Sequence, residues 1–261
     1  MKSMDKNVDP MGMAILDYAK WQREEKSGKG GRKLGRLCVY SPMFEDDEIP
    51  LKTLFRSYNS MPKIEQLALD LAKGKVLDVG AGAGCHSLAL QQRGLDVTAV
   101  EISPLSVEAM LLQGVKNVVN QDFFTLEGRY DTILMLMNGI GIVGTLERMP
   151  SFFTHLDNVL APGGQLLCDS SDIGYLFEDT PELIEEMDYY GEQTFQMQYE
   201  NVIGETFPWL YIDSKTLKQV AEENGYVAEI VAEGDHYDYL ARITKKCLRS
   251  CEHKKNFINK V

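Results

Sequence analysis

From Gly74 to Ser170 the chain alternates short, near-continuous apolar runs with segments of helical periodicity, and this alternation limits the fold more than any other feature. The runs are Val76–Val79, Val97–Ile102, Val118–Gln121, Thr132–Met137 and Gln165–Asp169. Helical patterns at His86–Arg93, Pro104–Gln113 and Phe152–Leu160 separate them, with only a short crossover after the third run. Strands that are apolar on both faces belong in a parallel sheet covered by helices on both sides. The predicted fold class is therefore α/β, doubly wound. Boundary signals agree: Ser103 before Pro104 reads as an N-cap with proline in the first turn, Gly114 as a stop, and Pro162-Gly163-Gly164 as a turn before the fifth strand.

The flanks differ in character. A leader, 1–73, opens with a helix over Pro10–Gln22 and passes through KSGKGGRKLGR, Lys26–Arg36, whose glycines and cations predict a mobile, solvated loop. A second leader helix over Pro62–Lys73 places Ile64, Leu67, Ala68 and Leu71 on one face and stops at Gly74. After the core, 74–170, comes an insertion, 171–212, with a helical stretch at Pro181–Met187 and an aromatic, partly alternating stretch from Tyr189 to Tyr211. The latter reads as an antiparallel excursion, mostly core, with some rings shaping a substrate pocket. Segment 213–246 returns to the core sheet with a helix at Ser214–Glu223 and strands at Val227–Ala232 and Tyr237–Thr244, and 247–261 forms a tail.

Composition narrows the function. Among 261 residues, 27 lysines and arginines face 39 aspartates and glutamates, a net charge of 27 − 39 = −12. Such a field disfavours broad binding to nucleic acid or anionic lipid. The first twenty residues hold no apolar signal core, and the most apolar stretch, Ile133–Val143, is too short to span a membrane. An odd count of five scattered cysteines suits a reducing compartment, so the expectation is a cytoplasmic protein. Cys247, Cys251 and His253 supply three zinc-type ligands with no convincing fourth, so no metal site is expected.

The chemistry concentrates in Lys75-Val-Leu-Asp-Val-Gly-Ala-Gly-Ala-Gly-Cys-His86, a strand that breaks into alternating glycines before a helix. Glycines tolerate positive φ and let a ligand approach the backbone, while the helix start offers free N–H groups. With Cys85 in the sixth position, the dinucleotide fingerprint G-x-G-x-x-G/A is broken. Asp78, just before the loop, would repel a pyrophosphate and attract a cation. Glu101 ends the next strand, 101 − 80 = 21 residues after the first glycine, where a carboxylate can accept from both ribose hydroxyls. These features describe a nucleoside carrying positive charge in place of phosphate. They disfavour a nicotinamide-dependent oxidoreductase.

S-adenosylmethionine (SAM) fits that description, and VLDVGAGAGCHSLAL…VTAVEISP…QDFF…YDTILML…LAPGGQLL, from Val76 to Asp169, resembles the class I (Rossmann-like) SAM-dependent methyltransferase family. The resemblance implies a mostly parallel seven-stranded sheet with an antiparallel last strand. It implies that Gly80, Ala81, Gly82 and Gly84 wrap the methionine portion and that Asp78 lies close by, acting through water. Glu101 would hold the ribose, Ile102 would pack on adenine, Asp122 would receive the adenine amino group and Phe123 would flank the ring. Asn138 would face the reacting end of the cofactor. The family's Asn/Asp-Pro-Pro-Tyr signature of nucleic-acid and glutamine enzymes is absent, since the fourth strand ends Leu136-Met-Asn-Gly-Ile140. The expected acceptor is accordingly a small molecule, with S-adenosylhomocysteine (SAH) as product. Asp169, Asp172, His86 and His236 are the candidate general bases. His86 could equally touch the cofactor carboxylate or cap its turn, and His155 reads as packing. The leader, with Tyr58 as a contact, would help cover the cofactor. A non-catalytic SAM-binding module is the alternative.

Overall fold

The computed structural model describes residues 4–28, 30–185 and 187–246. Cys247, Cys251 and His253 lie outside them. The leader comprises α1 (Pro10–Lys26), β1 (Leu37–Tyr40), β2 (Asp47–Ile49), α2 (Leu51–Leu54) and α3 (Lys63–Leu71). The core follows as β3 (Lys75–Val79), α4 (Cys85–Gln92), β4 (Asp96–Glu101), α5 (Pro104–Gln113), β5 (Val118–Asn120), β6 (Tyr130–Met135), α6 (Met149–Val159) and β7 (Leu160–Ser171). The insertion holds α7 (Pro181–Glu185), β8 (Glu192–Tyr199), β9 (Val202–Ile203) and β10 (Phe207–Leu210). The chain then returns through α8 (Ser214–Glu223), β11 (Tyr226–Glu233) and β12 (Asp238–Lys245).

Seven strands form the main sheet in the order β11-β12-β7-β6-β3-β4-β5. β7, β6, β3, β4 and β5 run parallel, and β12 is antiparallel to both its neighbours. The doubly wound class with an antiparallel last strand is thus the observed one. Period-two alternation sorts the apolar side chains to two faces. Leu77, Ile133, Met135, Leu166 and Cys168 join α6 residues Phe152, Phe153 and Leu156 in one core. Val76, Leu134, Leu167 and Leu240 join Leu69 and Leu90 in the other. Ser103 caps α5 by accepting from Ser106 N, and Gly114 ends it at φ 95°. Gln165 resumes the β7 ladder opposite Thr132 after Pro162-Gly163 loops out of register, so the expected turn sits inside one long strand.

The leader departs from its reading as helix and loop. β1 pairs with β8 on one side and β2 on the other in a second, antiparallel sheet ordered β10-β8-β1-β2, with β9 on β8. β1 fully buries only Leu37, and its partner Tyr199 is far along the chain, so no local hairpin signal marks it. α1 extends to Lys26 rather than Gln22. The basic segment is mostly exposed, as a solvated loop would be, and two of its arginines make surface ion pairs: Arg32 with Asp17 and Glu24, and Arg36 with Glu48. In α3 the buried face is Ile64, Glu65, Ala68 and Leu69, rotated from the predicted stripe to include an acid.

The second sheet closes over the segment that follows β6. Gly141 lies so near Trp209 that an added Cβ would fall 2.1 Å from the indole Nε1, and Pro208 sits over Gly144. The Glu192 carboxylate of β8 accepts from Leu146 N at 2.8 Å. On the other side, α1 packs along α5, with Ile15 facing Gly82. Among the described residues, no helix is long and apolar enough to cross a membrane.

The contact at Gly141 makes a prediction. Gly141→Ala should drive the Trp209 ring from its seat at a cost of about 1–3 kcal/mol. In a Trp21→Phe background, where Trp209 is the remaining tryptophan, its emission should shift to the red and the urea midpoint should fall. Unchanged emission would mean that the roof is not seated on this glycine.

Candidate active site

The β3–α4 loop takes the left-handed backbone that its glycines permit, with φ 65° at Gly80, 53° at Gly82 and 81° at Gly84. Gly80 N and Ala81 N both donate to Val100 O, at 3.0 and 3.2 Å, and Gly84 N donates to Ala81 O at 2.8 Å. Two of the glycines serve different ends. A Cβ on Gly80 would meet nothing within 4 Å, so its bare face looks onto open space. A Cβ on Gly84 would lie 2.8 Å from Val115 Cγ2 and 2.9 Å from Met110 Cγ, so that glycine lets α4 and α5 pack closely.

Glu101 is held from both loops: Gly82 N donates to its Oε2 at 2.9 Å, and Ser103 N to its Oε1 at 3.0 Å. Burial raises its pKa despite these bonds. A carboxylate offers about four lone-pair sites, so acceptor capacity remains after these two. Asp78 is 1% exposed and accepts from Ser87 Oγ at 2.6 Å, which turns one oxygen into α4. Burial raises its pKa as well.

Ile102 is half-buried, and its carbonyl accepts from Met4 N at 3.2 Å and Asn120 Nδ2 at 3.0 Å. Asp122 is half-buried and accepts from Phe124 N at 3.0 Å. The Phe123 ring is spent in the core, against Phe152 and edge-on to His155, whose Nε2 is buried with no hydrogen-bond partner among the described residues. Met137 and Asn138 both take positive φ, 68° and 54°, rare for side-chain-bearing residues. Asp169 pins that turn by accepting from Met137 N at 3.1 Å and Gly139 N at 3.2 Å, while Ser171 Oγ donates to Asn138 Oδ1 at 2.9 Å.

The four candidate bases are in unequal positions. Burial pushes Asp169 up to about 7. Asp172 is occupied by Tyr190 OH at 2.7 Å and Gly174 N at 2.9 Å. His236 is exposed in the β11–β12 turn. His86 Nε2 lies 2.8 Å from Glu65 Oε2, and Glu65 also binds Arg56, all three side chains being under 8% exposed. Burial opposes the imidazolium, yet Cys85, Glu65 and Asp78 outweigh it and hold the His86 pKa well above its ordinary value. Sequence reasoning missed Arg56 and Glu65; the signal was an acid beside Ile64 on a face otherwise apolar. Tyr58 is elsewhere: its hydroxyl donates to Asp70 at 2.8 Å and its ring carries Arg93.

The sequence profile of a methyltransferase domain matches residues 53–230. A SAM-dependent methyltransferase from Bacteroides fragilis, solved in complex with S-adenosyl-L-homocysteine, is 50% identical over 94% of this chain and 98% of that one, with a TM-score of 0.85. The chain belongs to the SAM-dependent methyltransferases. A ubiquinone biosynthesis O-methyltransferase from Xanthomonas oryzae is 40% identical over 55 residues, 21% of this chain and 23% of that protein. A ribosomal RNA small subunit methyltransferase C from Escherichia fergusonii is 30% identical over 143 residues, 46% of this chain and 41% of that protein. The chain thus spans well under half of these curated relatives. The family's cofactor, SAM, fits the residues present: open space lies beyond Gly80 and Glu101 retains acceptor capacity. A nicotinamide oxidoreductase is set aside.

The buried acid gives a prediction with a definite sign. Asp169 is raised in the folded state, so its contribution to stability is present below about pH 4 and is lost as pH rises through about 7. His86, also raised, works in the same direction. Between pH 5 and 8 the wild type should therefore lose about 2–3 kcal/mol more than Asp169→Asn, at about 1.4 kcal/mol per pKa unit. Urea denaturation at the two pH values measures this, and parallel losses in both proteins would contradict it.

Proposed function

We propose that this methyltransferase moves a methyl group from SAM to a small molecule held between the carboxyl edge of the main sheet and the second sheet. The observation that carries this reading is the roof itself: Trp209 and Pro208 seated on Gly141 and Gly144, immediately past the Asn138 turn. A site roofed by the chain's own strands favours an acceptor small enough to enter, over a folded RNA or protein. The charge of −12 points the same way. One relative is named for ubiquinone biosynthesis and another for ribosomal RNA. The acidic composition favours an acceptor of the first kind over a polyanion.

In this reading Glu101 accepts from the ribose hydroxyls, Ile102 packs on adenine and Asp122 uses its remaining acceptor capacity for the adenine amine. Gly80, Ala81, Gly82 and Gly84 line the methionine portion with backbone. Asp78 holds α4 through Ser87 and adds negative charge below a cationic ligand. Phe123 contributes by fixing Asp122 from the core. Asn138, on its pinned turn, faces the reacting end. SAM, when bound, supplies a carbon already activated by its sulfonium. The protein's task is then to align the acceptor and exclude water, which can be worth several kcal/mol.

Two measurements test this. Glu101→Gln removes a charged acceptor and should weaken SAH binding about 10- to 100-fold, read by calorimetry, with circular dichroism unchanged; undiminished affinity would misplace the ribose. Incubation of the wild type with methyl-labelled SAM and a cell extract should put label in a new low-mass compound, separable from SAM by chromatography and absent without the enzyme. Label confined to RNA or protein would overturn the small-molecule reading.

A further inference from the structure

Deep beside Glu101 lies a second carboxylate, from the leader, that the methyl-transfer reading does not use. Asp9 is 1% exposed and precedes α1. Its Oδ1 accepts from Gly12 N at 2.7 Å, capping that helix, and its Oδ2 accepts from Ser103 Oγ at 2.5 Å, a contact between residues 94 apart. Ser103 is fully committed: its hydroxyl donates to Asp9 and accepts from Ser106 N at 3.0 Å, and its N–H donates to Glu101 Oε1. The orientation of Ser103 is therefore specified by three hydrogen bonds, and Glu101 depends on one of them. Placing a second buried acid here is costly, because burial raises the pKa of both Asp9 and Glu101, and the Asp9 charge adds to the rise at Glu101. Residue 12 answers to the same contact. A Cβ on Gly12 would fall 2.2 Å from Asp9 Oδ2 and 2.2 Å from Ser103 Oγ. Glycine inside a helix costs about 1 kcal/mol relative to alanine, and here it makes room for the hydrogen bond.

We infer that Asp9 is a positioning residue for the cofactor site: through Ser103 it fixes the Glu101 carboxylate, so that seating of the leader and affinity for the nucleoside are one event. The inference rests on Glu101 holding the ribose. It gives the leader a part in binding without any contact between leader and ligand, and it replaces Tyr58, which points elsewhere.

The experiment is a double-mutant cycle read by SAH calorimetry on the full chain. Asp9→Asn keeps an N-cap residue for α1 but cannot serve both Gly12 N and Ser103 Oγ as an acceptor. Gly12→Ala leaves both partners in place, improves helix propensity and obstructs their approach. Each should weaken SAH binding about five- to tenfold in the wild-type background, and neither should weaken it further in Glu101→Gln. The non-additivity is what a merely structural role would not produce. Two outcomes overturn the inference: wild-type affinity in both variants, or equal losses with and without Glu101. Undiminished SAH binding by Glu101→Gln alone would instead refute the ribose assignment on which the inference rests.

Discussion

The site depends on the parallel pairing of β3 with β4. With Val79 opposite Val100, the two chains leave the sheet side by side, and the residues just past each strand end come together. That register lets Val100 O receive the N–H groups of Gly80 and Ala81, and lets Gly82 N reach Glu101. A slip of one residue would turn every side chain to the opposite face, taking the Glu101 carboxylate away from Gly82 N. The left-handed glycines matter because they bend the chain within that fixed frame: each φ above 50° keeps an N–H directed inward and leaves Gly80 with open space beyond it.

Below the loop the protein concentrates charge that a core normally avoids. Glu65, Asp78 and Asp169 are buried there, against the two cations Arg56 and His86. Isolated buried charges are expensive, and pairing offsets the cost only where hydrogen bonds are complete. Glu65 meets that condition with two cationic partners. Asp78 and Asp169 have hydroxyl and backbone donors only, which is why burial raises both. The floor is left with acidic character that a cationic ligand would relieve, a physical reason for carboxylates in a place where a phosphate-binding loop would have none. It also explains how two non-glycine residues persist at positive φ. Such a turn costs of order 1–3 kcal/mol per residue, and Asp169 restrains it from both sides of Asn138.

The sequence was legible where information is local. Apolar runs, the Ser103–Pro104 cap and the glycine spacing each report on a few neighbouring residues, and they yielded the sheet, its helices and the nearness of the loop to Glu101. What escaped were pairings between distant segments. β1 finds β8 only through the fold, and the charged face of α3 became visible only when Arg56 and His86 closed on Glu65. The engagement of Tyr58 was hidden for a similar reason: an exposed aspartate and an arginine, Asp70 and Arg93, hold it from nearby helices. Phe123 is the subtler case. It does follow Asp122 directly, but Phe152 and His155 claim its ring.

Leader and insertion belong to one structural layer although most of the core separates them in sequence. β1 and β8 share a ladder, and Tyr199 OH donates to Asp17 of α1 at 2.6 Å. The layer meets the core at β10 over the turn after β6 and at α1 along α5, while α3 of the leader packs on β12 and β7. Asn138 lies by the β10 contact and Glu101 by the α1 contact. In the proposed reading, the layer that encloses an acceptor is therefore also the one built against the helix that follows Glu101.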